Sequence, residues 1–170
     1  KIELTREKMK DFIREGLEIY EKAREIGNQA RKLPGDFLTL PDGSRFKGRQ
    51  EADGLSGVCL RIRPIGEKYF GEFVSNRYHG CGALELPEGT KYIGQMRQGK
   101  YHGVGSIVMS NGTVTYRGHF RNGLYHGFGE YKERKGDNSI GFIAYFRNGK
   151  PVKKFDLGEG GAGAGDGSAQ

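Results

Sequence analysis

The stretch NGLYHGFGEYK, from Asn122 to Lys132, places a histidine between aromatic residues and three glycines. The same motif occurs upstream in RQGKYHGVGSIVM, from Arg97 to Met109, and in VSNRYHGCGALEL, from Val74 to Leu86. Because a catalytic site is seldom written three times in one chain, the motif indicates a structural repeat rather than a reaction centre.

An aromatic residue opens each unit of this repeat, and successive units begin 23, 23, 24 and 26 residues apart. The opening residues are Phe46, Tyr69, Tyr92, Tyr116 and Phe142. Turn-forming residues divide each unit in two, and the residues between the turns alternate with the period of two that is typical of β-strands. The sequence therefore predicts a mainly β protein: an elongated, single-layer, twisted antiparallel sheet of repeated β-hairpins, preceded by an amphipathic α-helix.

Glycine accompanies the aromatic residues in each complete unit, and the pleat of a β-sheet explains why. A ring that lies flat over a neighbouring strand needs a position without a Cβ atom. The positions predicted to set this register are Gly71, His79, Gly80, Gly94, His102, Gly103, Gly118, His126 and Gly127. A single-layer sheet leaves such rings half-covered, so we expect a groove that seats a helix, either the chain's own or a partner's. The residues predicted to line this groove are Tyr69, Phe73, Tyr92, Met96, Tyr116, Phe120 and Tyr131.

Composition divides the chain into three predicted segments. Residues 1–36 carry nine basic and eight acidic residues and an apolar stripe with spacings of mostly three or four, which predicts an amphipathic helix. The stripe consists of Met9, Phe12, Ile13, Leu17, Tyr20, Ala23 and Ala30. Residues 37–155 hold the hairpin array, and residues 156–170, which are rich in glycine and alanine, predict a flexible tail. Whether the helix packs on its own sheet or docks on another chain stays open at this point.

The length of 170 residues suits about one domain. No apolar run reaches the roughly 18 residues that a membrane span needs, and the first residues lack the apolar core of a secretory signal, so we expect a soluble or membrane-peripheral chain. The sequence begins at Lys1 without methionine, which leaves the removal of a transit peptide open. The compartment is therefore unassigned among cytoplasmic, cytoskeletal and organellar locations.

The net charge of +7 is concentrated in the hairpin array, where 19 basic residues stand against 10 acidic ones, an excess of nine. The residues predicted to form a basic face include Arg97, Lys100, Arg117, Arg121, Lys150, Lys153 and Lys154. Such a face suits an acidic protein, an anionic lipid surface or nucleic acid. We rank a protein partner first, as a helix or an acidic segment, and an anionic membrane second. RNA ranks last because the aromatic residues are committed to covering glycines.

No catalytic residue, cofactor or metal site is predicted. Cys81 lies two residues after His79 without an orienting carboxylate, which falls short of an activated nucleophile. The repeated histidines would lie about 10 Å apart, too far to share a metal ion, so we interpret each as a hydrogen-bonding partner of the turn that precedes it. The Gly-x-Gly pairs lack the rest of a dinucleotide fingerprint. Cys59 and Cys81 are expected to point to opposite faces, which disfavours a disulfide.

Three consecutive stretches resemble MORN repeats, whose pattern is Tyr-x-Gly-x-aromatic, a turn, and then His-Gly-x-Gly with a closing glycine. The stretches are YFGEFVSNRYHGCGALELPEG from Tyr69, YIGQMRQGKYHGVGSIVMSNG from Tyr92 and YRGHFRNGLYHGFGEYKERKG from Tyr116. The resemblance extends over about residues 66–149, and it implies an elongated single-layer sheet with a groove that serves as a scaffold, a dimerisation module or a membrane-apposed adaptor. The unit from Phe46 lacks the histidine and the unit from Phe142 lacks His-Gly, so both are predicted to cap the array.

These observations together favour a non-catalytic scaffold or adaptor module that contacts a protein partner through the aromatic groove, as a subunit of a larger assembly. The rival hypothesis is a peripheral membrane adaptor that binds anionic phospholipid through the basic face. A homodimer and a subunit of an organellar or axonemal assembly are kept as further hypotheses.

Overall fold

The computed structural model describes residues 2–155 and places them in one helix followed by one open sheet. The predicted tail at residues 156–170 lies outside the described residues. Helix α1 spans Arg6–Arg31, and the strands are β1 (Leu38–Thr39), β2 (Arg45–Glu51), β3 (Gly54–Ile62), β4 (Lys68–Val74), β5 (Arg77–Glu85), β6 (Lys91–Arg97), β7 (Lys100–Val108), β8 (Val114–Arg121), β9 (Leu124–Lys135), β10 (Asn138–Arg147) and β11 (Lys150–Phe155). The strands pair with their sequence neighbours, β1 through β11, in antiparallel hairpins. The predicted fold class is confirmed.

Local sequence signals mark both ends of α1. Thr5 is the N-cap, and its side chain accepts a hydrogen bond of 3.1 Å from the backbone N–H of Lys8. Glu7 lies in the first turn and Arg31 in the last, where each charge complements the helix dipole. The helix ends before Pro34, because the residue that precedes a proline disfavours the helical conformation.

The C-terminal half of α1 packs on one side of the sheet, which we call the helix face. Ala23, Gly27 and Ala30 are buried there, and Ala30 contacts a cluster formed by Leu60 and Phe70. The guanidinium of Arg31 lies 3.7 Å from the centre of the Phe70 ring and 3.2 Å from Glu85. The helix thus approaches the sheet closely through small side chains, and Arg31 fixes its end.

The N-terminal half of α1 contacts the sheet less closely, so part of the predicted stripe is not buried. Ile13, Leu17 and Tyr20 are 53%, 60% and 40% exposed. They border an apolar cleft of about 420 Å³, whose other wall includes Ile93 and Val104 of the sheet. The predicted stripe is therefore correct for Ala23 and Ala30 but not for these three residues, because the side of the helix that carries Ala23, Gly27 and Ala30 lies against the sheet and leaves the three at its margin, beside the cleft.

Replacing Gly27 by alanine is expected to stabilise the protein by about 0.5–1 kcal/mol, because glycine weakens a helix interior. A Cβ atom added there would lie 3.5 Å from Ala83 Cβ and from the Phe70 carbonyl oxygen, which is ordinary contact. Gly16→Ala is the matched control, since its Cβ would meet nothing within 4 Å. Urea unfolding of both variants measures the gain. Destabilisation by Gly27→Ala alone would show that α1 lies closer to the sheet than described.

Alternate hairpin turns lie along one long edge of the sheet and are bonded to one another. The backbone N–H groups of Gly99, Gly123 and Gly149 donate to the carbonyl oxygens of Tyr78, Tyr101 and Tyr125, at 2.8, 2.9 and 2.8 Å. Each turn is therefore fastened to the hairpin before it. Asn122 and Asn148, which precede glycines in two of these turns, have φ of 49° and 50°, the left-handed conformation that asparagine tolerates.

The two ends of the sheet differ in how they are protected. At the N-terminal end the two-residue strand β1 pairs with β2, while β11 forms the C-terminal edge and contains Pro151. Proline cannot donate to a further strand, so its place in β11 disfavours extension of the sheet. Within residues 2–155 no helix combines the length and the apolar content needed to cross a membrane.

Candidate binding surfaces

The sheet side opposite α1, which we call the aromatic face, is built from tyrosine rings that lie over glycines. Tyr69, Tyr92 and Tyr116 are 0%, 1% and 0% exposed. A Cβ atom added at the glycine beneath each ring would overlap that ring; the pairs are Gly82 with Tyr69, Gly105 with Tyr92 and Gly129 with Tyr116. The three rings are therefore an inner layer whose position requires the glycines.

Each inner tyrosine is also held by its hydroxyl group. The hydroxyls of Tyr69, Tyr92 and Tyr116 donate to the carbonyl oxygen three residues later, at 3.2, 2.6 and 2.8 Å. Burial raises the pKa of all three phenols well above its usual range. These hydroxyls thus stay protonated and fixed, so they are unsuited to acid–base chemistry near neutral pH.

A second layer of tyrosines covers the first. Tyr78, Tyr101 and Tyr125 stack on the inner rings with centroid separations of 4.0, 4.1 and 3.9 Å. These outer tyrosines were not among the residues predicted to line the groove. Their recurrence four residues before Gly82, Gly105 and Gly129, the glycines beneath the inner rings, is the sequence signal that could have found them.

Phenylalanine rings join successive hairpins across the aromatic face. Phe120 meets its own hairpin's Tyr116 edge-on at 5.0 Å and the preceding hairpin's Tyr92 at 5.3 Å. Phe146 meets Tyr116 in the same way at 5.2 Å. Edge-to-face pairs of this kind contribute about 0.5–1.5 kcal/mol beyond their buried area. The rings from Tyr92 to Phe146 form a continuous array that joins three successive hairpins.

The predicted groove residues thus share one face, but most of them form its base. Six of the seven, namely Tyr69, Phe73, Tyr92, Met96, Tyr116 and Phe120, are at most 3% exposed. Tyr131 is half-buried, and its hydroxyl donates to Glu133 at 3.1 Å. The rings that reach solvent include the half-buried Tyr101 and Tyr125. Because α1 occupies the opposite face, the chain's own helix does not lie on the aromatic face.

Comparison with known families accounts for this architecture. The MORN repeat matches residues 69–91, 92–114 and 116–137. The chain carries three MORN repeats. No curated protein matches the sequence. MORN repeats are non-enzymatic modules that contact proteins or membrane lipids.

The glycine of His-Gly lies in a β-bulge of each MORN repeat. Pairing shifts register opposite this bulge, between Gly94 and Met96 in the second repeat. Gln95 Oε1 accepts the N–H of Val104 at 2.7 Å, and in the first repeat Glu72 accepts that of Cys81 at 2.6 Å. In these two repeats a side chain opposite the bulge therefore accepts the backbone N–H group that follows the bulge.

The third MORN repeat carries a histidine at this position, and the histidine faces the helix. His119 Nε2 lies 3.6 Å from the Glu15 carboxylate of α1, and its ring stacks on Phe12 at 6.3 Å. The third repeat thus provides a contact between the N-terminal half of α1 and the sheet.

The first of the repeated histidines, His79, lies beside the turn of the following hairpin, not the preceding one. His79 Nδ1 accepts a hydrogen bond of 3.5 Å from the backbone N–H of Gln98. This corrects the expected partner, and the reason is the stagger of the sheet, which brings each turn alongside the strand before it. The Nδ1 atoms of His102 and His126 are buried and have no hydrogen bond among the residues that the structure describes.

Replacing His102 by glutamine is expected to reduce the loss of stability between about pH 7 and pH 5. Burial, followed by the charges of Arg97 and Arg121, lowers the pKa of His102. The unfolded chain therefore takes up a proton near pH 6.5 that the folded chain binds only at lower pH, and stability falls as pH falls. Thermal unfolding at several pH values measures the slope, and Arg121→Gln should reduce it in part. An unchanged slope in both variants would contradict this assignment.

The predicted basic residues do not share one face. Arg97, Lys100, Arg121 and Lys150 flank turns on one long edge, whereas Arg117 lines the cleft beside α1. Lys153 donates to the Ile2 carbonyl oxygen at 2.5 Å, and Lys154 lies 4.1 Å from the centre of the Phe142 ring. Two further exposed cations, Arg77 and Arg147, lie on the same edge. The edge thus carries six cations that form no ion pair within the described residues: Arg77, Arg97, Lys100, Arg121, Arg147 and Lys150. We call this row the basic edge.

The two cysteines point to opposite faces, and both are free. Cys59 belongs to the core of the aromatic face, at the position that glycine occupies in the repeats, whereas Cys81 pairs with Gln95 on the helix face. Burial raises the pKa of both thiols, which keeps them protonated and weakly nucleophilic.

Proposed function

We propose that the protein is a non-catalytic adaptor that binds a protein partner on its aromatic face, as a subunit of a larger assembly. The observation that carries this proposal is the outer tyrosine layer. Tyr101 and Tyr125 are held by stacking and reach solvent, and their hydroxyls have no hydrogen bond within the described residues. Rigid aromatic side chains with a polar tip are enriched where proteins bind one another.

The face is prepared for binding because its rings are already ordered. Tyr101 contacts Tyr92 and Phe120, and Tyr125 contacts Tyr116 and Phe146, so a partner need not immobilise them. Side chains that are fixed before association avoid part of the entropic cost of binding. The inner layer supports this surface, and the predicted groove residues act from beneath the rings that touch the partner.

A second candidate function is a peripheral membrane adaptor that binds anionic phospholipid along the basic edge. The six cations of that edge, which form no ion pair within residues 2–155, favour it, because each basic residue near an anionic surface contributes about 1 kcal/mol. The cations form a single row at the rim of the sheet, which presents less charge to a plane than a broad patch would. We therefore rank this candidate second.

The two candidates separate by which variant loses its partner. The wild-type chain and the variants Tyr101→Leu/Tyr125→Leu and Arg97→Glu/Arg121→Glu are compared for capture of the native partner. Each variant is first shown to have an unchanged unfolding transition. We expect the tyrosine variant to lose its protein partner and the charge variant to retain it at about 0.5 M salt, where exposed charges are screened. Retention by the tyrosine variant would exclude the aromatic face.

Vesicle binding tests the second candidate. Vesicles of phosphatidylcholine alone are compared with vesicles that also contain phosphatidylserine, in a co-sedimentation assay. The membrane candidate requires binding to the second kind only, loss with rising salt, and loss in Arg97→Glu/Arg121→Glu. Absence of binding to both kinds would eliminate it.

A further inference from the structure

The aromatic face carries the chain's own cations near its two ends but none over its middle tyrosines. The guanidinium carbon of Arg61 lies 4.8 Å from the centre of the Tyr78 ring, and Lys154 Nζ lies 4.1 Å from that of Phe142. No cation of residues 2–155 lies over Tyr101 or Tyr125. Cations favour the faces of aromatic rings, so these two tyrosines are unoccupied positions of the same kind.

Carboxylates beside the outer tyrosines also favour a cation. Glu67 accepts a hydrogen bond from the Tyr78 hydroxyl and pairs with Arg63 at 3.3 Å. Glu88, which lies in the next turn along that edge, is exposed and forms no ion pair within the part of the chain that the structure describes. Burial and then the charges of Glu67 and Glu88 raise the pKa of Tyr101 to about 12. The surroundings of Tyr101 are therefore negative.

The spacing of the outer tyrosines selects among ligand conformations. Tyr78, Tyr101 and Tyr125 occur once per hairpin, and two strand spacings of about 4.8 Å place them about 9.6 Å apart. A polyproline II segment repeats every three residues, or about 9.3 Å, and presents the same side at each repeat. Three residues of a β-strand cover a similar length but end on the opposite side, and two turns of α-helix advance about 10.8 Å.

We propose that the aromatic face binds a proline-rich segment in the polyproline II conformation with a basic residue at every third position. Its basic side chains would lie over Tyr101, where Glu88 adds negative charge, and over Tyr125, as Arg61 lies over Tyr78. The backbone carbonyls of such a segment lack internal hydrogen bonds and can accept from the two tyrosine hydroxyls. This inference rests on the proposed function and names the chemical class of the partner.

Synthetic peptides test the proposal on the full chain. Titration calorimetry compares four peptides of equal length: Arg-Pro-Pro repeats, Glu-Pro-Pro repeats, Arg-Gly-Gly repeats and an amphipathic helical peptide. We expect the Arg-Pro-Pro peptide to bind and each of the other three to bind roughly tenfold more weakly or not at all. Equal binding by the Glu-Pro-Pro peptide would overturn the role of the cation. Equal binding by the Arg-Gly-Gly peptide would overturn the role of the polyproline II conformation. Tighter binding by the helical peptide would overturn the proposal as a whole.

Variants then locate the site. Glu88→Lys is expected to weaken Arg-Pro-Pro binding about fivefold, whereas Glu18→Lys on exposed α1 is the matched control and should not. Tyr101→Leu should weaken binding further, while Tyr101→Phe keeps the ring and should retain most of it. Identical affinities for Glu88→Lys and Glu18→Lys would place the peptide elsewhere and overturn the proposal.

The outcomes separate this inference from the proposed function. If none of the four peptides binds while capture of the native partner still depends on Tyr101 and Tyr125, the ligand class is rejected and the adaptor function stands. If capture is also independent of these tyrosines, both are rejected.

Discussion

Replacement of Tyr116 by alanine is expected to lower the free energy of unfolding by about 3–5 kcal/mol. The ring is fully buried and contacts Phe120, Tyr125 and Phe146, so its loss opens a cavity at the junction of two hairpins. It also exposes Gly129, which the ring covers. Urea unfolding of the variant and the wild type measures the difference.

Two matched variants show which part of Tyr116 matters. Tyr116→Phe keeps the ring but removes the hydrogen bond to the His119 carbonyl oxygen, so a loss of about 1 kcal/mol is expected. Tyr20→Ala removes a ring from the exposed side of α1 and should cost little. Equal and small losses for all three variants would contradict the role of the inner layer as the core.

The second large effect is expected from a substitution that adds only one carbon atom. Gly105→Ala should destabilise the protein by about 3 kcal/mol, because the new Cβ atom overlaps the Tyr92 ring and displaces its hydroxyl from the Gln95 carbonyl oxygen. Gly141→Ala is the matched control in a strand, since its Cβ would lie 3.5 Å from the nearest atom, Lys132 Cγ. The control should be neutral within about 0.5 kcal/mol.

A double-mutant cycle connects this effect to the ring. In a Tyr92→Ala background the overlap is absent, so Gly105→Ala should no longer destabilise the protein and the two changes should be strongly non-additive. Additive losses would mean that glycine is required at position 105 by the backbone conformation and not by the Tyr92 ring above it.

The hairpin array could be predicted from the sequence because its signals are local. An aromatic residue, a glycine two positions later and a turn recur within each unit, and antiparallel pairing of neighbours needs no long-range information. The same regularity predicted the inner tyrosines. The outer tyrosines follow from the same alternation, but the stack of Tyr101 on Tyr92 depends on a bulge at Gly103 that brings Tyr101 opposite Met96.

The position of α1 could not be predicted in the same way, because both faces of the sheet offer apolar side chains. Val58, Leu60 and Ile62 are apolar residues at alternating positions of β3, and the structure places them near the end of the helix. The small residues Ala23 and Gly27 allow that approach, yet periodicity alone favoured the larger Leu17 and Tyr20 as buried. Four of the seven predicted basic residues likewise follow the turns to one edge, and the other three lie elsewhere, so no basic face forms.

Whether the aromatic face is the contact surface can be tested most directly by tyrosine nitration, read by mass spectrometry, on the protein alone and in complex with its isolated partner. We expect Tyr101 and Tyr125 to react in the free protein and to be protected in the complex, while Tyr20 on α1 reacts equally in both. Protection of Tyr20 with undiminished reaction of Tyr101 and Tyr125 would contradict this expectation and place the partner on the helix face.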